Sequence, residues 1–288
     1  MKNKWKKLLG VVLALALIVG LTPGAGTTAN AESDGAINIG SSDASGTHWS
    51  YVASTHTLTL NGYNYNGYDD GVTYSGSDPL TISLIGTNSI TTSKNDGHGI
   101  CCRSNGTALR ISGEGSLDVS ATANVSPQYG AGIYFVGDIE FAGGTVRTSG
   151  TWGIYNHDHH VTVSGGEVYA TGTNCGVYTK NGGMLYITGG KLVATGNSQA
   201  IAQDGSSYTR NSIAGTGWTN TEGTEGETAI PINTDGEQKL TYKKVQFPAD
   251  PVASVTSGGT TTEYTAFPTR SPRGTTRPMM QRSSCSPT

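Results

Sequence analysis

Helical periodicity is absent from the chain beyond residue 31, where no stretch spaces its apolar residues three and four apart. Charged residues are also scarce, at 14% of the 288 residues, whereas glycine alone contributes 42 residues. Low charge, frequent glycine and many Ser, Thr and Asn side chains are typical of an extracellular protein built from strands. We therefore expect an all-β fold.

Positive charge is the scarcer sign. Residues 32–268 carry 10 basic and 21 acidic side chains, a net charge of −11. Such a surface opposes binding to nucleic acid and to anionic membranes. It also disfavours acidic polysaccharides unless a cation bridges the two. We expect no nucleic-acid partner and no membrane partner.

Only the first 31 residues contain a long apolar run, from Leu8 to Leu21. Lysines precede this run, and Ala29-Asn30-Ala31 follows it as a small-x-small cleavage site. The run is shorter than the ~20 residues that a membrane-spanning helix needs. The pattern predicts a signal peptide over residues 1–31 and a secreted or cell-surface protein without membrane insertion after cleavage. The alternative is an uncleaved anchor.

The last 21 residues have no core pattern. Residues 268–288 contain several prolines and arginines, which predicts a disordered tail. A second interpretation is a reading-frame slip, because the codons of Met279-Met280 read Asp-Asp in a shifted frame. Residues 248–267 are then a linker or the start of a further module. The nucleotide sequence decides between these interpretations.

A Gly-aliphatic-aromatic step recurs with a period of 21 to 23 residues, as Gly132-Ile133-Tyr134, Gly153-Ile154-Tyr155 and Gly176-Val177-Tyr178. Each step is followed by a short strand, a Gly-Gly pair and another strand. One such repeat cannot bury its apolar face alone, so the repeats must stack. We predict a right-handed parallel β-helix, a solenoid of about six coils, over residues 32–247 with caps at both ends. A sandwich would show no identity between columns at so long a period.

Aligned repeats give columns of apolar residues that should point inward. One column is Val72, Ile100, Ile133, Ile154, Val177 and Ile201. A second is Ile82, Leu109, Ile139, Val161 and Leu185, and another is Ile90, Leu117, Val146, Val168 and Leu192. The same alignment places Arg110 beside Glu140 and Asp118 beside Arg147 on the outside. Opposite charges on neighbouring rungs favour this register.

Cysteine is too sparse and too widely spaced for a disulfide framework. Cys101 and Cys175 should lie three rungs apart, or about 14 Å at the strand spacing. A disulfide needs Cα atoms within ~7 Å. We expect no bridge inside the solenoid, with Cys102 pointing into the core.

The N-terminal part carries a more specific pattern, His48-Trp49-Ser50-Tyr51 followed by Thr57-Leu58-Thr59-Leu60-Asn61-Gly62-Tyr63. Together with the Gly-Ile-Tyr and Gly-Gly coils, it resembles the β-helical "carbohydrate-binding domain-containing" proteins secreted by Firmicutes, which are similar to pectate lyases in fold. The resemblance covers about residues 36–215. It implies non-catalytic binding of plant polysaccharide, or display at the cell surface as an adhesin.

Tyr134, Tyr155 and Tyr178 fall in one outward column, about 4.8 Å apart. A strip of that pitch could contact successive sugar rings, with phenol hydroxyls reaching sugar hydroxyls. Tyr169 and Tyr186, outward on other strands, are candidates to extend it. The alternative is that the stacked tyrosines only stabilise the coils.

Two polar groupings are candidates for a metal. Asp69, Asp70 and Asp96 come close if Gly71 and Gly99 stack, and carboxylate oxygens suit calcium. The alternative is an empty acidic patch, and no other cofactor is expected. The run His157-Asp158-His159-His160 lies at a corner where adjacent side chains diverge, which favours a solvated polar turn.

No catalytic constellation stands out. Glu140 and Asp118 could serve as the two carboxylates of a glycosidase, but each has an arginine beside it. We interpret the chain as a monomeric, non-catalytic carbohydrate-binding or adhesion module whose partner is a polysaccharide. A polysaccharide lyase or glycoside hydrolase on the same fold is the alternative, and a passive stalk is a third interpretation.

Overall fold

A computed structural model describes residues 33–104, 106–122, 130–203, 208–211, 213–249, 253–257 and 260–264. These residues are all-β, as expected, and no α-helix occurs among them. The predicted signal peptide and the predicted C-terminal tail lie outside the described residues.

The strands are short in the N-terminal half and long in the middle. The first twelve are β1 (Ile37–Ile39), β2 (Ala44–Ser45), β3 (Trp49–Val52), β4 (Thr57–Asn61), β5 (Asn64–Gly67), β6 (Val72–Tyr74), β7 (Leu80–Ile85), β8 (Thr87–Thr92), β9 (His98–Cys102), β10 (Leu109–Gly113), β11 (Ser116–Ala121) and β12 (Ala131–Phe135). The next six are β13 (Ile139–His157), β14 (Val161–Lys180), β15 (Leu185–Ile187), β16 (Lys191–Gly196), β17 (Gln199–Gln203) and β18 (Tyr208–Asn211). The last six are β19 (Gly215–Trp218), β20 (Thr228–Ile230), β21 (Asn233–Lys239), β22 (Lys244–Phe247), β23 (Ala253–Ser257) and β24 (Thr260–Tyr264). A single 3-10 turn, Ala53–Thr55, separates β3 from β4.

Most strands pair in parallel, and the pairs form three ladders. The first ladder runs β4, β7, β10, β13, β14, β15 and β18. The second runs β5, β8, β11, β13, β14 and β16. The third runs β1, β6, β9, β12, β13, β14 and β17. The long strands β13 and β14 each pass through all three ladders, so the chain visits them in a repeating order.

Antiparallel strands cover ladder edges at both ends. β3 pairs antiparallel with β4, with Trp49 opposite Leu60. At the other end β22 pairs antiparallel with β16 and with β19. Unpaired parallel edges would offer free N–H and C=O groups to other chains. These strands therefore close edges that would otherwise promote association.

The register confirms one predicted column throughout and the other two except at their first members. The column from Val72 to Ile201 pairs in the predicted order on the third ladder. On the first ladder, however, Leu109 lies opposite Leu80 and not Ile82. On the second ladder, Leu117 lies opposite Asn88, and Ile90 lies opposite Val119. Both errors are shifts of two residues, which leave the same face inward and so escape a hydrophobic pattern.

Asn88 explains why the second-ladder column was misaligned, since a polar side chain occupies a core position. It is fully buried. Its side-chain Oδ1 accepts from the Tyr63 amide at 2.9 Å, and Nδ2 donates to the carbonyls of Ile85 and Ser116 at 3.1 and 3.0 Å. Burial of an amide is tolerated when its donors and acceptor have partners.

The other predictions from the register have mixed outcomes. Arg110 lies opposite Glu140 and forms an ion pair with it, as predicted. Asp118 lies opposite Arg147, but the Arg147 guanidinium stacks on the Tyr169 ring. Cys101, Cys102 and Cys175 are buried free thiols. The prediction of unbridged cysteines is confirmed for these three.

A column of glycines explains the glycine of the repeated Gly-aliphatic-aromatic step. A Cβ built on Gly153 would lie 2.6 Å from the Gly176 carbonyl oxygen and 2.8 Å from the Thr171 nitrogen. The equivalent atom on Gly132 would lie 2.8 Å from the Gly153 carbonyl oxygen. Each repeat therefore rests on the backbone of the next at a distance that only glycine allows.

We expect Gly153→Ala to destabilise the protein by about 1–3 kcal/mol, since overpacking against backbone forces the rungs apart. Chemical denaturation of the purified variant measures this change in the free energy of unfolding. Gly35→Ala is the matched control, because no atom lies within 4 Å of a Cβ built there. Equal stability of the two variants would contradict the close packing of the rungs.

Candidate functional site

Tyr134, Tyr155 and Tyr178 form a continuous stack on the outward face of the third ladder. The strand register places the three residues opposite one another. The ring centroids of Tyr134 and Tyr155 are 5.2 Å apart with an interplanar angle of 9°, and those of Tyr155 and Tyr178 are 5.1 Å apart at 30°. Both faces of Tyr155 are thus covered by its neighbours. The sequence did not predict that the ring faces are covered in this way, which leaves the ring edges for contact with a ligand.

His98 extends the stack beyond Tyr134. Its imidazole lies 4.5 Å from the Tyr134 ring, nearly parallel to it at 15°. The side chain is 4% exposed, and Nδ1 accepts a hydrogen bond from the Ala131 amide at 3.2 Å. Burial lowers the pKa of His98 to about 4. The neutral ring is therefore the form that packs against the tyrosine at neutral pH.

Trp152 directly precedes the Gly153-Ile154-Tyr155 step and flanks the tyrosine stack. A register shift between Gly150 and Trp152 sets its position on β13. The indole lies 4.9 Å from the Tyr155 ring, tilted by 56°, and 6.0 Å from the Tyr178 ring. The tryptophan therefore turns a single row of rings into an aromatic surface two residues wide.

An open cleft of about 320 Å³ lies along this aromatic surface. Its walls are Asp96, His98, Arg103, Tyr134, Trp152, Tyr155 and His157. Apolar walls with a few charged and polar groups are typical of sites for small polar ligands. Aromatic rings, a carboxylate and a guanidinium together provide both the apolar contact and the hydrogen-bond donors and acceptors that a polyol needs.

Arg103 is positioned by three neighbours at the cleft. Its Cζ lies 5.7 Å from the Tyr134 ring centroid, and Nη1 lies 2.9 Å from Cys101 Sγ and 3.7 Å from Asp70 Oδ2. Burial raises the pKa of the Cys101 thiol to about 12. Cys101 is therefore a neutral acceptor for the guanidinium and not a nucleophile.

The three aspartates predicted as calcium ligands are not arranged as a metal site. Asp70 is 8% exposed and accepts from the His98 amide at 2.8 Å and from Lys94 Nζ at 3.1 Å. Burial acts to raise the pKa of Asp70, but these donors outweigh it and hold the pKa below its ordinary value. Within the described ranges, no three His, Cys, Asp or Glu side chains are grouped as metal ligands. Asp96 lines the cleft, whereas Asp69 is exposed on the preceding coil.

Tyr169 and Tyr186 lie on other ladders than the tyrosine stack. Tyr169 is opposite Arg147 on the second ladder, and Tyr186 is opposite Thr162 on the first. The Tyr186 ring meets His160 edge-on at 5.3 Å. Neither residue extends the stack of Tyr134, Tyr155 and Tyr178, so any ligand contact that they make belongs to a different face.

The histidine corner and Glu140, one of the two carboxylates considered for catalysis, have structural partners. His157 Nδ1 lies 2.6 Å from Asp158 Oδ2, while the His160 amide donates to Asp138 at 3.0 Å. Glu140 accepts from Ser164 at 2.5 Å and from Arg110, and these two hydrogen bonds lower its pKa. The carboxylate is held ionised in an exposed network, which does not suit a general acid.

Sequence reasoning found the tyrosines but missed His98, Arg103 and Trp152. Their positions depend on the loops and register shifts between strands, which a repeat alignment skips. His98 and Trp152 each stand two residues before an aligned core position, Ile100 and Ile154. By strand alternation that offset predicts the inward face of Ile100 and Ile154, so it did not reveal that the two rings lie beside the tyrosines.

Comparison of the chain with models of known protein families, with curated proteins and with solved structures found no match. The resemblance noted from the sequence therefore stays a prediction. In the described part of the chain, no helix has the length and apolar character needed to cross a membrane.

Proposed function

We propose that the protein is a secreted, non-catalytic module that binds a plant polysaccharide through the cleft beside Tyr134, Tyr155 and Trp152. The observation that carries this proposal is the combination in one open cleft of three aromatic side chains with Asp96 and Arg103. Aromatic side chains with a polar end suit ligands that have both apolar faces and hydroxyls. Attachment to a cell surface as an adhesin is part of the same proposal.

The proposed fold is a right-handed parallel β-helix of about six coils. It is supported by three parallel ladders that the chain visits in turn, and by columns such as Ile133, Ile154 and Val177 that pair in register. The hand is proposed because connections between parallel strands of one sheet are almost always right-handed. Stacked coils would give the cleft a ligand path parallel to the solenoid axis.

A neutral polysaccharide fits the cleft better than a strongly acidic one. Asp96 contributes a negative charge and Arg103 a positive one, which is already partly engaged by Asp70. A polyol can use both side chains at once, with hydroxyls donating to the carboxylate and accepting from the guanidinium. The net charge of −11 over residues 32–268 also favours a neutral polysaccharide over an acidic one.

Retention on insoluble cellulose and on pectin, with calcium or with a chelator, tests the proposal. We expect retention on at least one neutral plant polysaccharide, unchanged by the chelator. Loss of retention in the chelator would restore a calcium site. No retention on any polysaccharide would favour a passive stalk, and release of reducing ends or unsaturated products would favour the lyase or hydrolase.

A further inference from the structure

A second patterned surface lies on the second ladder, away from the tyrosine stack. Here Tyr169 is sandwiched between two cations, with Arg147 Cζ 4.7 Å and Lys191 Nζ 5.8 Å from its ring centroid. Tyr169 Oη donates to Glu167 Oε2 at 2.8 Å, which fixes the ring. Cations held against an aromatic face keep their remaining donors directed outward.

These two cations differ from three other basic side chains, which are in ion pairs. Arg110 is paired with Glu140, and Lys94 and Arg103 with Asp70. No carboxylate in the described part of the chain lies within ion-pair distance of Arg147 or Lys191. This holds although Asp118 and Glu167 stand opposite them in the register. Arg147 and Lys191 therefore have donors to offer to a ligand.

A column of hydroxyls runs beside Tyr169. Ser120, Ser149, Thr171 and Thr195 stand opposite one another on successive strands, and Ser149 Oγ donates to Ser120 Oγ at 3.0 Å. Two grooves of about 330 and 340 Å³ meet at Ser149 and Thr171. Arg147 and Tyr169 line the first groove, and Thr151, Thr173 and Asn197 line the second. The surface is thus a continuous trough with hydroxyls at the spacing of the strands.

We propose that this trough is a second glycan-binding face, which takes a sugar chain bearing an isolated carboxylate. The carboxylate binds the guanidinium of Arg147, which lines the first groove, and Lys191 adds positive charge from the other side of the Tyr169 ring. Neighbouring sugar hydroxyls bind the column of Ser120, Ser149 and Thr171. A planar guanidinium matches a carboxylate with two parallel hydrogen bonds. Asp118 and Glu167 keep the trough from being uniformly positive, which favours a sparsely charged chain over a dense polyanion.

Two soluble polymers with one backbone test this face: carboxymethyl cellulose and the neutral hydroxyethyl cellulose. Affinity electrophoresis at 0.15 M salt screens the overall negative charge, because the Debye length is about 8 Å there. We expect stronger retardation by carboxymethyl cellulose. Arg147→Gln should weaken that binding about tenfold, and Lys191→Gln should weaken it by a smaller factor because its charge acts at longer range. Neither variant should change retardation by the neutral polymer. Lys243→Gln, an exposed cation elsewhere, is the charge-matched control.

The outcomes separate the two faces. Equal retardation of the wild-type protein by both polymers, or wild-type affinity in Arg147→Gln, would overturn the second face. Stronger binding to cellulose sulfate than to carboxymethyl cellulose would overturn the choice of a carboxylate. If the cleft proposal alone is wrong, binding to the neutral polymer fails while the preference for carboxymethyl cellulose, and its loss in the variants, persists.

Discussion

Replacing Tyr134, Tyr155 and Tyr178 together with alanine is expected to abolish retention on the polysaccharide that the wild-type protein binds. The three rings stack at 5.1 to 5.2 Å; Tyr134 and Tyr155 line the cleft, and Tyr178 continues the stack beyond it. The substitution removes both the aromatic surface and three hydroxyls. Retention is measured as the bound fraction in pull-down, against the unbound fraction in the supernatant.

The triple alanine variant changes stability as well as ligand contact, because each stacked pair contributes about 0.5–1.5 kcal/mol to stability. A conservative variant separates the two effects. The triple Tyr→Phe variant preserves the stack and removes only the hydroxyls. Since the rings cover one another's faces, we expect the hydroxyl edge to contact sugar, and we expect this variant to lose affinity at least tenfold. Tyr186→Phe, on the first ladder, is the control and should bind normally.

Two results would contradict the role of the stack. One is full retention by a triple alanine variant whose near-ultraviolet circular dichroism shows a folded protein. The other is full affinity of the triple phenylalanine variant, which would mean that the hydroxyls do not contact the ligand. The change in melting temperature of each variant separates loss of contact from loss of fold.

The parallel stacking of the third ladder was predictable from the sequence because its motif contains a glycine that nothing else can replace. At Gly153 the backbone of the next rung lies within 2.6 Å of a Cβ position. Such a steric demand fixes the residue type at each turn, so the period of 21 to 23 residues is visible without any structure. Columns anchored on these glycines were therefore assigned correctly.

The first and second ladders lack such an anchor in their earliest coils. A shift of two residues exchanges Leu80 for Ile82, and both are buried aliphatic side chains. Hydrophobicity cannot distinguish the two alignments. On the second ladder, the correct alignment places the polar Asn88 at an inward position, which a hydrophobic pattern disfavours. Its hydrogen bonds to Tyr63, Ile85 and Ser116 come from three separate segments. Such partners are known only once the coils are stacked.

The candidate site, too, could be predicted from the sequence only in part. Tyr134, Tyr155 and Tyr178 follow directly from the repeat, but Arg103 and Asp96 lie in connections between strands, where the repeat has no fixed length. The calcium hypothesis failed to anticipate that Lys94 and the His98 amide reach Asp70. The chemistry of a carboxylate depends on donors that approach from other coils, and the sequence does not order them in space.

Acid is expected to destabilise the protein through His98. Burial lowers the pKa of His98 to about 4, whereas an exposed histidine in the unfolded chain has a pKa near 6.5. Between these values the unfolded state binds more protons than the folded state, so stability falls as the pH falls. The difference corresponds to about 3 kcal/mol, lost progressively from about pH 6.5 down to about pH 4.

Urea denaturation at pH 7, 5.5 and 4 measures this loss, and His98→Asn removes the titrating group. The variant should be less stable at pH 7 but should lose about 3 kcal/mol less than wild type over this range. Asp70 does not account for this loss of stability. Its pKa is lowered in the folded protein, so the stability that it contributes is lost at and below the ordinary aspartate pKa of about 4. An unchanged slope in His98→Asn would contradict the buried, neutral imidazole.

Because His98 stacks on Tyr134 and lines the cleft, its protonation also links acid to ligand binding. Because burial of a charged imidazole is costly, the protonated ring leaves its apolar contact with the tyrosine ring and becomes hydrated. This opens one end of the stack. The wild-type protein should therefore release a neutral polysaccharide near pH 4 before it unfolds globally. Retention measured at each pH on both polymers, beside the urea data, would show whether the loss begins at the cleft.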